Sequence, residues 1–271
     1  MVIIWGTKPY FKTKKVKSHG FCAHCQQFVK RSSFNAKTFF HLYYIPLIPT
    51  SARVRHHQMC PKCSKYLAFP LEQFAATVVT LKARCAEAIM ALAEGESKVT
   101  FADGDSESEP VACIDYLIDA VDWLHDAAEQ GFVDGVVEKL RQTKQSFAEQ
   151  AIQAELSRIQ GRRREAIDQL QAILNSHGIH SGSAKRRAAL LTVEKRHVES
   201  AEAWSKALSV ESDARQKVRL LALRVDALMA GKQWTEAVKV YADLLVAAPS
   251  LANDKAIKKL YAKARKKAGV M

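Results

Sequence analysis

Two short cysteine motifs constrain this chain more than any other feature. Cys22 and Cys25 form one C-x-x-C pair, Cys60 and Cys63 form a second, and 34 residues separate the two pairs. A C-x-x-C segment turns tightly enough to direct both sulfurs at one ion, and two such segments complete the tetrahedral set of four thiolates that Zn²⁺ prefers. The spacing therefore predicts that these four cysteines bind one structural zinc ion.

Three alternatives compete with this site. Disulfides are disfavoured, because two separate C-x-x-C turns are typical of a reducing compartment and the start of the sequence lacks the pattern of a secretory signal. Iron in a rubredoxin-like site stays open, since four thiolates do not by themselves select the metal. His24, or one of His19, His56 and His57 outside the turns, could replace a thiolate, although four cysteines already complete the set.

The net charge is concentrated in the first 70 residues. They contain twelve of the 41 Lys and Arg residues and no Asp or Glu, while the other 29 basic residues face all 28 acidic ones. The same segment holds twelve of the 22 aromatic residues. This change of composition near Pro70 predicts a domain boundary, with a basic domain over residues 1–70.

The segments around the cysteines favour β-structure. Residues 28–34, 38–44 and 54–59 are rich in β-branched and aromatic side chains, and Asn35 and the prolines at 46 and 49 separate them. They predict the short antiparallel strands of a small sheet. A domain of this size has a thin hydrophobic core, so metal binding should contribute about 10–16 kcal/mol to its folding.

Residues 1–68 resemble the bacterial zinc-ribbon family of small proteins. The resemblance rests on W-G-T-K at Trp5–Lys8, the first C-x-x-C, Y-I-P-L-I-P at Tyr44–Pro49, and the closing C-P-x-C. It implies a fold and a metal, but it does not supply an activity. The ligands that it implies are Cys22, Cys25, Cys60 and Cys63. The sequence departs from the family pattern in having Ala-His inside the first pair and Ser64 where a glycine often follows the second.

The rest of the chain is predicted to be helical, which gives an α+β fold: a small antiparallel β zinc ribbon followed by an all-α domain. Residues 71–95 carry apolar side chains every three or four positions and predict a connecting amphipathic helix that ends at Gly95. Residues 96–110 are acidic and polar and predict a flexible linker. Helical periodicity resumes over residues 111–271 and includes one long segment from 132 to 159.

A repeat of 34 residues occurs within this helical domain. It aligns Ala166 with Ser200, and a third copy follows 37 residues later at Ala237. In each copy a large side chain follows four residues after the small one: Leu170, Trp204 and Tyr241. The pattern resembles the tetratricopeptide repeat, a helix–turn–helix unit, over about residues 147–250, with Gly161 and Gly231 in its turns. A generic helical bundle is the alternative.

These features favour a non-enzymatic adaptor whose helices hold a protein partner. Four thiolates leave a zinc ion no open position for substrate. The sequence shows no nucleophile with its base, no phosphate-binding glycine loop and no pair of catalytic carboxylates, so we predict no catalytic residue and no organic cofactor. Basic runs at residues 162–164, 185–187 and 255–267 would attract an acidic peptide or nucleic acid; the alternative is that they form a solvated helix face.

Two other functions stay open. The basic and aromatic residues of the ribbon would suit binding to RNA or DNA. The same basic face, with the apolar segment 45–49, would suit an anionic membrane surface. No apolar run reaches the about 20 residues of a membrane-spanning helix, and we expect a cytoplasmic protein.

Overall fold

The computed structural model describes residues 5–22, 24–25, 27–42, 45–101 and 110–270. The α+β fold predicted from the sequence is confirmed, since a four-stranded antiparallel sheet is followed by ten α-helices within these residues. By its internal contacts the chain divides into two compact units, residues 1–162 and 163–271. Over the same described ranges, no helix has both the length and the apolar character needed to cross a bilayer.

The sheet of the first unit has its strands in chain order. They are β1 (Trp5–Phe21), β2 (Phe28–Leu42), β3 (Ile45–Met59) and β4 (Leu67–Pro70). Each strand pairs antiparallel with the next, and the short β4 covers only Val54–His57 of β3. The first part of β3 is therefore an edge of the sheet.

Strands β2 and β3 are longer than the sequence predicts. Asn35, Pro46 and Pro49 were expected to separate short strands, but they lie inside β2 and β3. The register between β2 and β3 shifts once before and once after Asn35, while Asn35 itself pairs with Arg55. These bulges let the two strands stay paired past Asn35 instead of ending there. Both prolines lie in the edge part of β3, the part of a sheet to which strand prolines are confined.

Four helices complete the first unit: α1 (Leu71–Ala93), α2 (Cys113–Asp126), α3 (Gln130–Gln142) and α4 (Ser146–Ile159). Helix α1 begins where its periodicity predicts and ends two residues before Gly95. The two-residue strands β5 (Lys98–Val99) and β6 (Val111–Ala112) pair with each other on either side of residues 102–109. Most of the predicted acidic linker falls on residues 102–109, outside the described part of the chain.

The continuous helix expected from residue 132 to residue 159 is in fact α3 and α4. Between them Lys144 has φ +55. Its N–H donates to the carbonyl of Arg141 at 3.1 Å, and the N–H of Gln145 donates to that of Leu140 at 2.9 Å. This pair of bonds is a common way for a helix to end on a left-handed residue. The turn is not predicted from the sequence, because the left-handed position is occupied by Lys144 and not by a glycine.

A buried network of charges joins the sheet to α2 and α4. Arg31 of β2 donates to both carboxylate oxygens of Asp122 in α2, at 2.8 and 3.0 Å. Arg158 of α4 donates to the same carboxylate at 2.7 Å and to Glu155 at 2.7 Å. It also donates to the backbone carbonyl of His19 in β1. One carboxylate thus holds two guanidinium groups that come from the sheet and from a helix.

Arg55 of β3 extends this network. Its side chain is 1% exposed and donates to the carbonyl of Lys14 at 2.9 Å, to the side chain of Asn35 at 3.1 Å and to the carbonyl of Asp126. The Asp126 carboxylate is inaccessible to solvent and lies 3.4 Å from Arg31. In this network three arginines face three carboxylates, so the charges are compensated where they are buried.

The network gives the basic composition of the ribbon a structural reason. Arg31 and Arg55 lie on strands that have no acid of their own, and Asp122 and Asp126 of α2 supply the carboxylates that face them. The composition change near Pro70 therefore lies inside the first compact unit. The domain boundaries proposed at residues 70, 95 and 110 stay predictions.

The second unit is helical throughout its described residues. Its helices are α5 (Arg163–Ser176), α6 (Ser181–Val193), α7 (His197–Val210), α8 (Ala214–Ala230), α9 (Trp234–Ala247) and α10 (Lys255–Ala268), with a short 3₁₀ turn at Pro249–Asn253. Each helix packs against the next along the chain. The repeated positions are all buried: Ala166, Leu170, Ser200, Trp204, Ala237 and Tyr241.

Left-handed turn residues recur at the spacing of the repeat. Gly161, Lys195 and Lys232 have φ values of +85, +60 and +60, and they are 34 and 37 residues apart. Gly231, expected in a turn, has φ −78 and caps α8, so the left-handed position belongs to its neighbour. A Cβ atom on Gly231 would lie 3.3 Å from the Cβ of His197, so its small size permits a close approach to α7.

We expect Asp122→Asn to lower the free energy of unfolding by about 3 kcal/mol, because Arg31 and Arg158 would stay buried without the carboxylate that they share. Denaturant unfolding followed by circular dichroism measures the change. The control Glu138→Gln removes an exposed ion pair with Arg141, 2.9 Å long, and should cost no more than about 1 kcal/mol. Equal losses in the two variants would contradict a structural role for the buried network.

Candidate metal centre

The two C-x-x-C segments lie at the same end of the sheet. The first connects β1 to β2 and the second connects β3 to β4. In each, the N–H of the first cysteine donates to a carbonyl five residues later, from Cys22 to Gln27 and from Cys60 to Lys65, both at 2.9 Å. Residues 23 and 26 lie outside the described residues. Antiparallel pairing of β2 with β3 places the two turns side by side.

The structure brings together the four cysteines that the sequence singles out. Their sulfur atoms all lie within 4.8 Å of one another. Cys22 Sγ is 3.6 Å from Cys63 Sγ, and Cys25 Sγ is 3.7 Å from Cys60 Sγ, so each close pair joins the two turns. A regular tetrahedron with Zn–S bonds of 2.3 Å has sulfurs about 3.8 Å apart. The cluster therefore has the size of a site for one ion.

All six cysteines of the chain are free thiols. Separations of 3.6 and 3.7 Å between sulfurs exceed the about 2.05 Å of a disulfide bond. The disulfide alternative is therefore not what the structure shows. Four soft thiol ligands in a tetrahedral arrangement are the donor set of zinc and iron–sulfur sites, and they could hold a metal ion of that kind.

Backbone N–H groups favour ionisation of two of these thiols. The N–H of Cys63 is the main group that lowers the pKa of Cys60, to about 6. The N–H of Cys25 lies 3.5 Å from the sulfur of Cys22 and lowers its pKa. The N–H of Lys65 acts on Cys63 in the same way, but burial and the surrounding thiols outweigh it and raise the pKa of Cys63 to about 11. Four thiolates at this spacing would repel one another, and a bound cation would remove that penalty.

The second turn has a serine in a left-handed conformation. Ser64 has φ +57, and its N–H donates to the carbonyl of Cys60 at 3.0 Å. Glycine normally occupies a left-handed position of this kind, because it has no Cβ atom to clash. The replacement by serine therefore leaves the turn and its ligands in place.

None of the histidines considered as alternative ligands belongs to the sulfur cluster over the residues that the structure describes. His24 is exposed in the first turn. His19 Nδ1 lies 3.3 Å from the carbonyl of Ile159. His56 stacks on Phe34, with ring centroids 5.0 Å apart. These histidines are occupied with packing and backbone contacts or face solvent.

The other two cysteines are separate from the cluster. Cys85 in α1 and Cys113 in α2 are both inaccessible to solvent. Burial raises the pKa of Cys85 to about 12. The sulfur of Cys113 lies 3.9 Å from the carbonyl of Glu96. A thiol that stays protonated among apolar side chains acts as a small core residue, and neither has the setting of a reactive cysteine.

Comparison with known proteins adds no family assignment. No family model matches the chain, and none of the curated proteins matches it. The similarity to zinc ribbons therefore rests on the cysteine spacing, the sheet and the clustering of the four sulfurs.

His57, next along β3 from the stacked His56, lies on the side of the sheet that faces the helices. Its ring packs against Trp123 at 4.5 Å and Phe74 at 5.9 Å between centroids. Neither ring nitrogen has a hydrogen-bond partner within the described residues. This histidine therefore behaves as an aromatic core residue and gains little from its polar atoms.

Burial lowers the pKa of His57 to about 4. Among its charged neighbours, Asp126 and Asp122 oppose the shift, whereas Arg55 and Arg31 reinforce it. Between about pH 4 and 6.5 the unfolded chain therefore binds more protons at this residue than the folded chain. The contribution of neutral His57 to folding stability is therefore fully present above about pH 6.5. It is lost as the pH falls from there to about 4.

We expect His57→Phe to be at least as stable as the wild type at neutral pH, because phenylalanine fills the same aromatic site and leaves no unpaired ring nitrogen. When the pH is lowered from about 7 to about 5, the wild type should lose about 2 kcal/mol more than the variant. Denaturant unfolding at a series of pH values measures this difference. Parallel stability curves for the two proteins would show that His57 is not buried in its neutral form.

Proposed function

We propose that this protein is a non-enzymatic adaptor, in which a ribbon held by one structural zinc ion is joined to helices that bind a protein partner. The cluster of four thiols carries the proposal, because it supplies a complete ligand set for one ion. A catalytic zinc keeps one position open for water or substrate, and four thiolates leave none. Bound zinc would supply folding free energy, about 10–16 kcal/mol in sites of this type, rather than chemistry.

The arrangement of the second unit supports the binding role. Small residues at Ala166, Ser200 and Ala237 recur at 34 and 37 residues, and the left-handed turn residues before them recur at the same spacing. The sequence repeat and the turns thus share the same two spacings, which supports helix-pair repeats of the tetratricopeptide type. Such repeats expose long surfaces that suit an extended segment of another protein.

The charge of α10 favours an acidic partner. Two of the basic runs noted in the sequence are partly neutralised, since Arg163 pairs with Glu194 at 2.6 Å and Lys185 with Glu211 at 2.5 Å. Helix α10 carries seven Lys and Arg residues and no acid. None of the seven forms an ion pair with any residue that the structure describes. Helix α10 is therefore the surface of this unit that would attract a negatively charged segment.

Nucleic-acid binding by the ribbon is the second candidate. Eight of its basic residues are exposed: Lys12, Lys14, Lys15, Lys17, Lys30, Arg53, Lys62 and Lys65. However, Arg31 and Arg55 are buried in the charge network and are not available to phosphates. The ring of Phe34 is covered by His56 and by the ammonium group of Lys12, which lies 4.5 Å from the ring centroid. Fewer aromatic faces are therefore free to stack on bases than the composition indicates.

Metal analysis of the purified protein tests the zinc site. We expect one zinc ion per chain and a colourless protein. Cys60→Ser should lose the ion and the ordered structure of the ribbon, because three thiolates hold zinc less tightly and the ribbon has little other core. Cys85→Ser, buried but outside the cluster, should keep its zinc. A red, iron-containing protein, or one without metal, would contradict the zinc site.

Charge removal on α10 tests the binding role. We expect capture of partners from a nuclease-treated native lysate to fall about tenfold when four exposed lysines are changed to Gln, since they would steer association. The four are Lys258, Lys259, Lys263 and Lys266. The matched control changes the exposed Lys206 and Lys217 of α7 and α8 to Gln and should bind normally. Loss of all captured protein on nuclease treatment would instead favour the nucleic-acid candidate.

A further inference from the structure

One part of the sheet, here called the arm, has no buried side chain among those that the structure describes. The arm comprises residues 9–13 of β1, 37–42 of β2 and 45–53 of β3, which form three paired strands. The contacts that bind the sheet to the helices include instead those of His19, Arg31, Arg55, His57 and Phe69. The arm therefore extends past the part of the sheet that the helices cover.

The end of the arm is apolar and exposed. In the ladder Leu42 pairs with Ile45, and Phe40 pairs with Ile48. Ile45 and Ile48 are each 61% exposed. Branched side chains like these normally lie on the buried face of a sheet. A single exposed isoleucine is ordinary, but two at the end of one hairpin beside Phe40 form a patch of the kind that contacts another apolar phase.

A pair of positive charges follows this apolar end. Lys37 and Arg53 are directly opposite each other in the ladder. Like charges at such a position destabilise strand pairing unless an anion lies near them. Neither forms an ion pair within the described residues, and the first acid of the chain is Glu72, beyond the whole sheet. Further exposed lysines follow at Lys12 and Lys14.

The spacing of the two features matches the surface of a bilayer. Lys37 is three residues from Phe40 and five from Leu42, which corresponds to about 10 and 17 Å along a strand. A protein segment at a membrane surface buries its apolar part about 5–10 Å deep, and the headgroup layer of one leaflet is about 5–7 Å thick. A tilted arm would place Ile45 and Ile48 at the acyl boundary while Lys37 and Arg53 meet lipid phosphates.

We propose that the arm binds the surface of an anionic lipid bilayer, with Ile45 and Ile48 inserted and with Lys37 and Arg53 at the phosphates. The aliphatic side chains decide between this ligand and nucleic acid, since isoleucine neither stacks on a base nor pairs with one. Phe39 of the arm packs edge-on against two other rings, with ring centroids 6.0 Å from Tyr10 and 5.4 Å from Phe11, although Phe11 is 62% exposed. The arm contains none of the four clustered cysteines and no residue of the second unit, so its binding to lipid does not depend on the adaptor proposal.

Co-sedimentation of the full-length protein with lipid vesicles tests the inference. We expect binding to vesicles of phosphatidylcholine mixed with phosphatidylglycerol, and little binding to phosphatidylcholine alone. The double variant Ile45→Asp/Ile48→Asp should bind at least about tenfold more weakly. The double variant Lys37→Gln/Arg53→Gln should lose about fivefold for each charge removed.

Two controls separate the arm from general effects. Val246→Asp alters an 81% exposed apolar residue of α9 and should leave vesicle binding unchanged. Unchanged zinc content and circular dichroism of the arm variants would show that they are folded, as expected for substitutions at exposed sites.

Three results would overturn the inference. The first is equal binding to neutral and anionic vesicles. The second is unchanged vesicle binding by the isoleucine variant. The third is a combination of two observations: single-stranded RNA displaces the vesicles from the protein, and the isoleucine variant binds that RNA as tightly as the wild type does. This result would assign the arm to nucleic acid.

Discussion

Four sulfur atoms at one end of the sheet fix the ribbon on which the rest of the first unit depends. The turn between β1 and β2 and the turn between β3 and β4 meet there, so one ion would close both at once. The hydrophobic cluster at this end consists of Cys22, Val29 and Cys60, with Cys25 and Cys63 packed against it. The four cysteines are thus most of the local core, and little else would hold the turns together.

The positions of the buried charges follow from these turns. Arg31 lies six residues after Cys25, and Arg55 lies five residues before Cys60. The geometry of the cysteine cluster therefore sets where both guanidinium groups meet α2. Buried charges tolerate little displacement, because an unpaired one costs several kcal/mol. The sulfur cluster and the charge network are two fixed points of one structure, and together they orient the helices on a sheet that has no acid of its own.

The features that the sequence predicts are those set by local spacing, such as the cysteine turns and the amphipathic α1. The breaks expected at Asn35, Pro46 and Pro49 are wrong because pairing along the ladder absorbs them. The turn at Lys144 is hidden because a lysine takes the place of glycine. The bond from Arg31 to Asp122 joins residues 91 apart, and the only signal for it in the sequence is that Asp122 lies one helical turn after the apolar Ile118.

Hydrogen exchange before and after removal of the metal tests most directly whether the ion supports the whole first unit. We expect chelation to remove amide protection in β1, β2 and β3 and also in α2 and α4, since Asp122 would lose Arg31 of the sheet and Arg158 would lose the carbonyl of His19 in β1. Helices α7 and α9 of the second unit should keep their protection. Loss of protection confined to the residues flanking the four cysteines, or no loss at all, would contradict this account.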